Sequence, residues 1–129
     1  MKNILNSINI TINNRNFHVD FSNTSFLINV HRVGGGINFE SMDMAVYTLS
    51  PNAFAVYMYI LRHSTNCAWK YSLQRIEGKT NMSSNEVFSA LIELLSAGYL
   101  TPIIPDDGSD SIKTFDLWES PDLREGSAA

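Results

Sequence analysis

Histidine, cysteine and carboxylate side chains are where reaction chemistry would have to come from, and in this sequence they are scattered. His18, His31 and His63 stand far apart, and none has a second ligand at helical or strand spacing. A metal site needs three or four convergent ligands, so these read as ordinary surface or half-buried histidines. The single cysteine, Cys67, lies beside Ala68 and Trp69 with only Lys70 as a nearby cation. It reads as a structural thiol rather than a nucleophile, and it leaves no intramolecular disulfide to form. Asp106, Asp107, Gly108 and Asp110 resemble the opening of a calcium loop, but the full spacing and the closing glutamate are missing. Gly34-Gly35-Gly36 is followed by no Gly-Lys-Ser/Thr and no helix start, which makes it a joint rather than a phosphate cradle. No carboxylate pair and no Ser-His-Asp order stands out. The expectation is a non-enzymatic protein with no metal and no cofactor.

Binding chemistry is better represented. Arg62, Lys70, Arg75 and Lys79 face only one acid, Glu77, over the same stretch. Asn85 and Ser89 follow; asparagine can pair with the edge of adenine, and serine can bond either base type. Beyond them the balance reverses. From Glu86 to Glu125 the only cations are Lys113 and Arg124, and the formal net charge of the 129 residues is −4. That sign is unusual for a nucleic-acid binder. Asp106, Asp107 and Asp110 would repel phosphates lying within a Debye length of roughly 8–10 Å.

The elements that must position these residues are legible from capping and periodicity. Ser50-Pro51 opens a helix, with serine as N-cap and proline at a position that needs no N–H. Phe54, Tyr57, Met58 and Leu61 fall on one face, flanked by Ala53, Val56 and Ile60, so most of its circumference is buried. A short helix runs from Ser72 to Lys79, with Leu73 and Ile76 three apart. A third starts at Ser83, where Glu86 completes a capping box, and stops at Gly98. Thr80-Asn81-Met82 is then the tight turn of a helix-turn-helix. Tyr99 to Ile104, a turn at Asp106–Ser109 and Lys113 to Trp118 read as the two strands of a wing. In the third helix Val87, Leu91, Leu94 and Leu95 point inward, leaving Asn85, Glu86, Ser89, Ile92, Glu93 and Ser96 outward.

Upstream, Ile8, Ile10 and Ile12, then Phe17, Val19 and Phe21, then Phe26, Ile28 and Val30 alternate with polar residues, with Asn13-Asn14-Arg15-Asn16 as the first turn. This predicts an antiparallel β-meander whose apolar face packs on something else. From Phe39 to Val46 a short helix or irregular segment carries Met42, Met44 and Val46 and is expected to cover one end of the core. The predicted fold is α+β: a β-meander at residues 1–33, a linker and short helix at 34–48, a winged helix-turn-helix at 49–118 and a flexible acidic tail at 119–129. No segment approaches the roughly 18–20 apolar residues that span a bilayer, and no secretory h-region follows Lys2. A cytoplasmic protein without membrane contact is expected.

The string Leu49-Ser50, Ala53, Val56-Tyr57, Leu61, then Trp69, Tyr71-Ser72, then Val87, Ala90-Leu91, Leu94 and Gly98-Tyr99-Leu100 resembles one winged-helix family. Its members are the N-terminal domains of phage and plasmid replication initiators, replisome organisers and primosomal helicase loaders. The resemblance covers about the middle half of the chain and rests on core and cap positions. It implies binding of double-stranded DNA in replication initiation or regulation, through Arg62, Lys70, Arg75, Lys79, Asn85 and Ser89, with a homodimer as one arrangement. The departure is the acidic wing. A second expectation therefore stands beside the first: a phage-encoded protein-interaction module of anti-CRISPR type. It would meet a basic surface of a host nucleic-acid enzyme through Asn85, Ile92, Glu93, Asp106, Asp107 and Asp110.

Overall fold

A computed structural model describes residues 7–21, 25–32, 34, 38–62 and 68–126 of the protein. Strand β1 (Ser7–Ile12) pairs antiparallel with β2 (Arg15–Asp20) across Asn13-Asn14. Both asparagines have positive φ, 53° and 64°, as a two-residue hairpin turn of the primed type demands. Asparagine is among the side-chain-bearing residues that tolerate this region best.

The third alternating run, β3 (Phe26–His31), does not continue the hairpin, so the expected antiparallel meander exists only as its first two strands. The remaining strands are β4 (Ala68–Tyr71), β5 (Leu100–Pro102) and β6 (Thr114–Trp118). β3 lies between β4 and β6, antiparallel to the first and parallel to the second, and β5 closes the far edge against β6. The reason is physical. As the last strand of a meander β3 would pair on one side only; in the middle of this sheet it pairs on both, and Phe26, Ile28 and Val30 are buried. β4, unmarked by any strong alternation, is an edge strand of four residues.

Helix α1 (Phe39–Thr48) comes first, then α2 (Pro51–Leu61), α3 (Leu73–Thr80), α4 (Ser84–Ser96) and the short α5 (Pro121–Gly126). Helices α2, α4 and α5 pack against the sheet, while α1 packs on α2 and α3 on α2 and α4. The predicted caps are present: Ser50 Oγ accepts from Ala53 N, Ser72 Oγ accepts from Arg75 N, and Ser83 and Glu86 form the reciprocal box. α2 buries Ala53, Val56, Tyr57, Tyr59, Ile60 and Leu61. α4 buries Val87, Ala90, Leu91 and Leu94, and ends where Gly98 turns left-handed at φ 84°. Phe21, at the end of the hairpin, packs against Phe26, Phe88 and Phe115, which joins the hairpin to the same core as the helices.

Two expectations change at the margins. α1 does not cover the core with Met44 and Val46, which are exposed; it buries Ser41 and Ala45 instead, one turn apart on the opposite side. The acidic C-terminal segment does not start as a solvated tail. Glu119 is fully buried: its carboxylate accepts from Asn38 N and its carbonyl from the Tyr57 hydroxyl (2.6 Å), and α5 follows. Among the described residues no helix is long and apolar enough to cross a membrane.

Candidate nucleic-acid interface

The turn between α3 and α4 sets the geometry. Asn81 takes the left-handed conformation (φ 59°) and its N–H caps the Glu77 carbonyl, so α3 stops within one residue and the chain swings into α4. Leu73 and Ile76 anchor α3, leaving Gln74, Arg75, Gly78 and Lys79 exposed. On α4 the exposed residues include Asn85, Glu86, Ser89 and Ser96. Ser84 Oγ donates to Glu77 Oε2 at 2.5 Å, so the one carboxylate of α3 is held at the start of α4.

The cations divide unevenly. Arg62 caps the C-terminus of α2, with its guanidinium 5.9 Å from the centre of the Tyr59 ring. Tyr59 meets Tyr71 edge-on at 5.9 Å. Burial, then the neighbouring Tyr59, push the Tyr71 hydroxyl far above its usual pKa, and the charge of Arg75 opposes the rise. Arg62 lies over Tyr59 at the end of α2, Arg75 is exposed on α3, and Lys79 follows Arg75 by one helical turn. Lys70 is elsewhere: it pairs across from Leu27 on the opposite face of the sheet from Tyr71. Arg62, Lys70, Arg75 and Lys79 are all exposed, and none forms an ion pair with a described residue.

The acids that would oppose phosphate are largely engaged. Glu86 belongs to the α4 cap. Glu93 reaches across to α2, where its two oxygens accept from Ser50 N and Ser50 Oγ, each at 2.7 Å. Both therefore sit at helix N-termini, where the backbone favours negative charge. Ile92 is half-buried rather than fully outward. In the wing, Asp107 accepts from Ser109 N, Asp106 is exposed, and Asp110 is paired with Arg15 at 3.1 Å.

That last contact was not visible in the sequence. Arg15 Nη2 also donates to the carbonyls of Gly108 and Ser109, while its guanidinium lies 4.7 Å from the Phe17 ring. Two backbone bonds, His18 N to Asp110 O at 2.7 Å and Ile112 N to His18 O at 2.9 Å, complete the junction. The hairpin is bolted to the wing. No local signal pairs residues 95 positions apart.

Elsewhere, His31 Nε2 donates to Asp116 at 2.8 Å and its ring stacks on Trp118 at 4.2 Å, on the outer face of the sheet. His63 and Cys67 lie outside the described residues, as do Gly35 and Gly36. Among the described residues no three metal-ligating side chains gather.

A family model described as a helix-turn-helix domain matches residues 47–100, from the end of α1 through α4 to the first residue of β5. Neither the curated proteins nor the solved structures give a match to this chain. The chain contains a helix-turn-helix domain, and β5 and β6 with the loop between them make it a winged one.

Proposed function

We propose that the chain binds double-stranded DNA through α3 and α4, without catalysis. Arg62, Arg75 and Lys79 grip the phosphate backbone, and Asn85 and Ser89 reach base edges from the N-terminal half of α4, the usual reading end of a recognition helix. One observation carries this reading. The cations beside the helix-turn-helix are exposed and form no ion pair with a described residue, whereas the nearby acids Glu77, Glu86 and Glu93 are each held by a hydrogen bond within the fold. Lys70, on the far face of an edge strand, adds only long-range attraction. The resemblance to phage and plasmid replication proteins supports replication initiation or regulation on a mobile element as the setting. The alternative, an acidic wing that docks on a host enzyme, is weakened because Glu93 and Asp110 are already committed to Ser50 and Arg15.

The test is fluorescence anisotropy with a mixed-sequence duplex pool over a series of salt concentrations. Arg75→Ala and Lys79→Ala should each weaken binding to every sequence and lower the salt slope by about one. Asn85→Ala should flatten sequence preference, costing roughly 1–3 kcal/mol on the best site. Absence of binding at low salt with micromolar protein would overturn the proposal.

A further inference from the structure

Helix α1 presents a surface that the fold does not use. Tyr47 is 89% exposed, Phe39 81%, Met44 62% and Val46 54%, the four most exposed of the large apolar side chains described. At about 100° per residue they occupy one broad side of the helix, and Glu40 and Asp43 fall among them. The helix is not loosely attached. Asn38 Oδ1 accepts from Ser41 N at 3.1 Å, Asn38 N donates to the buried Glu119 carboxylate, and Ala45 is fully buried. Large apolar side chains on a helix fixed in this way mark an interaction surface. Beside it, an open groove of about 410 Å³ between α1 and α5 is lined in part by Glu40, Met44, Asp122 and Leu123. None of Glu40, Asp43 and Asp122 has a cationic partner among the described residues.

The charges identify the occupant. Phosphate and anionic lipid would be repelled by three carboxylates that have no cationic partner among the described residues. A second α1 packed antiparallel against the first would bring the two Asp43 carboxylates toward the symmetry axis and set acid against acid. A second copy's α3 offers Arg75 and Lys79, but it exposes no large apolar side chain to cover Phe39 and Tyr47. A helix with an apolar stripe flanked by lysine or arginine satisfies both halves of the surface. We propose that the outward side of α1, with its groove against α5, is a docking site for a basic amphipathic helix of a protein partner. The site is separate from α3 and α4 and does not depend on the DNA-binding reading.

The probe is a synthetic helical peptide of about 15 residues, with leucine at i, i+3, i+4 and i+7 and lysine on both flanks. It is titrated into the isotope-labelled full chain and followed by NMR, with a second peptide carrying glutamate in place of every lysine. Shifts confined to residues 38–48 and 120–123 are expected, with no comparable response to the glutamate peptide. Phe39→Ser and Tyr47→Ser should each weaken the interaction at least about tenfold, as buried aromatic anchors do. Glu40→Gln combined with Asp43→Asn should weaken it less and reduce its sensitivity to salt, with Asp122 retaining part of it. Because these side chains are exposed, circular dichroism and DNA affinity should stay at the parent values. Shifts centred on the wing or α3, equal binding of the glutamate peptide, or no binding would each overturn the proposal. So would concentration-dependent dimerisation of the free chain that Tyr47→Ser abolishes, since the occupant would then be a second copy.

Discussion

Glu93→Ala tests the reading of this carboxylate as a strut rather than a contact. Its side chain accepts two hydrogen bonds of 2.7 Å, from the Ser50 N–H and from the Ser50 hydroxyl, while Ser50 Oγ itself accepts from Ala53 N at 3.2 Å. One carboxylate thereby holds α4 against the start of α2 and orients the cap of α2. Each charge-assisted bond contributes roughly 1.5–3 kcal/mol when its partner is left unsatisfied, and the charge at a helix N-terminus adds roughly 0.3–1 kcal/mol. The site is half-solvated and Ser50 keeps its own bond to Ala53, so the sum is discounted to about 2–3 kcal/mol. For a chain of this size about 4 °C is lost per kcal/mol, giving a fall in Tm of roughly 8–12 °C. Glu93→Gln preserves the shape, accepting from Ser50 N and donating to Ser50 Oγ, and should cost only about 1 kcal/mol. Urea unfolding of the three proteins, with unchanged m-values, is the measurement. An alanine variant within about 0.5 kcal/mol of the parent, the range of neutral surface changes, would refute the strut.

Three further outcomes follow from the same structure. Arg15→Ala should accelerate amide exchange at residues 108–112 while costing no more than about 1 kcal/mol overall, since the Arg15–Asp110 pair is exposed and the backbone bonds of the junction remain. Phe21→Ala should cost roughly 3–5 kcal/mol in chemical denaturation, because the ring is buried among Phe26, Phe88 and Phe115. Burial raises the hydroxyl pKa values of Tyr57, Tyr71 and Tyr99 in the folded state, helped by the Glu119 carboxylate at Tyr57. Their stabilisation is complete below the unfolded phenol value of about 10 and is lost as pH climbs beyond it. Ultraviolet titration should therefore show these three ionising together with unfolding; ionisation in a chain whose circular dichroism is still native would count against their burial.

The helices were legible because their signals are local. Ser50-Pro51, the Ser83–Glu86 box and Gly98 each lie within a few residues of the boundary they set. Alternation was equally informative about which side of β3 is buried, but it carries no information about which strand lies alongside. A period of two fixes the face, and only the competition for ladder partners fixes the neighbour. β4 was missed for a related reason: a four-residue edge strand with one buried residue leaves almost no pattern. On α1 the apolar count was right and the direction was wrong, because the small residues Ser41 and Ala45 allow close approach to the core while the larger ones face away. Asn85, Ser89, Arg75 and Lys79 could be placed outward from periodicity. The engagement of Glu93 and Asp110 could not, since it depends on contacts made across the fold.

The position of β3 also dictates the order in which this protein can assemble. Its ladder with β6 joins residues 87 positions apart, such as His31 and Trp118, and the strand it borders on the other side is made in between. A ribosome must therefore release the chain through β6 before the sheet can close. Until then β3 and β4 present unsatisfied edges, and closing so long a loop slows the step that would remove them. Expression of residues 47–100 alone would leave the helix-turn-helix helices and β4 without the central strand. Such a fragment should aggregate or stay partly unfolded, although it contains every residue that the helix-turn-helix family model matches.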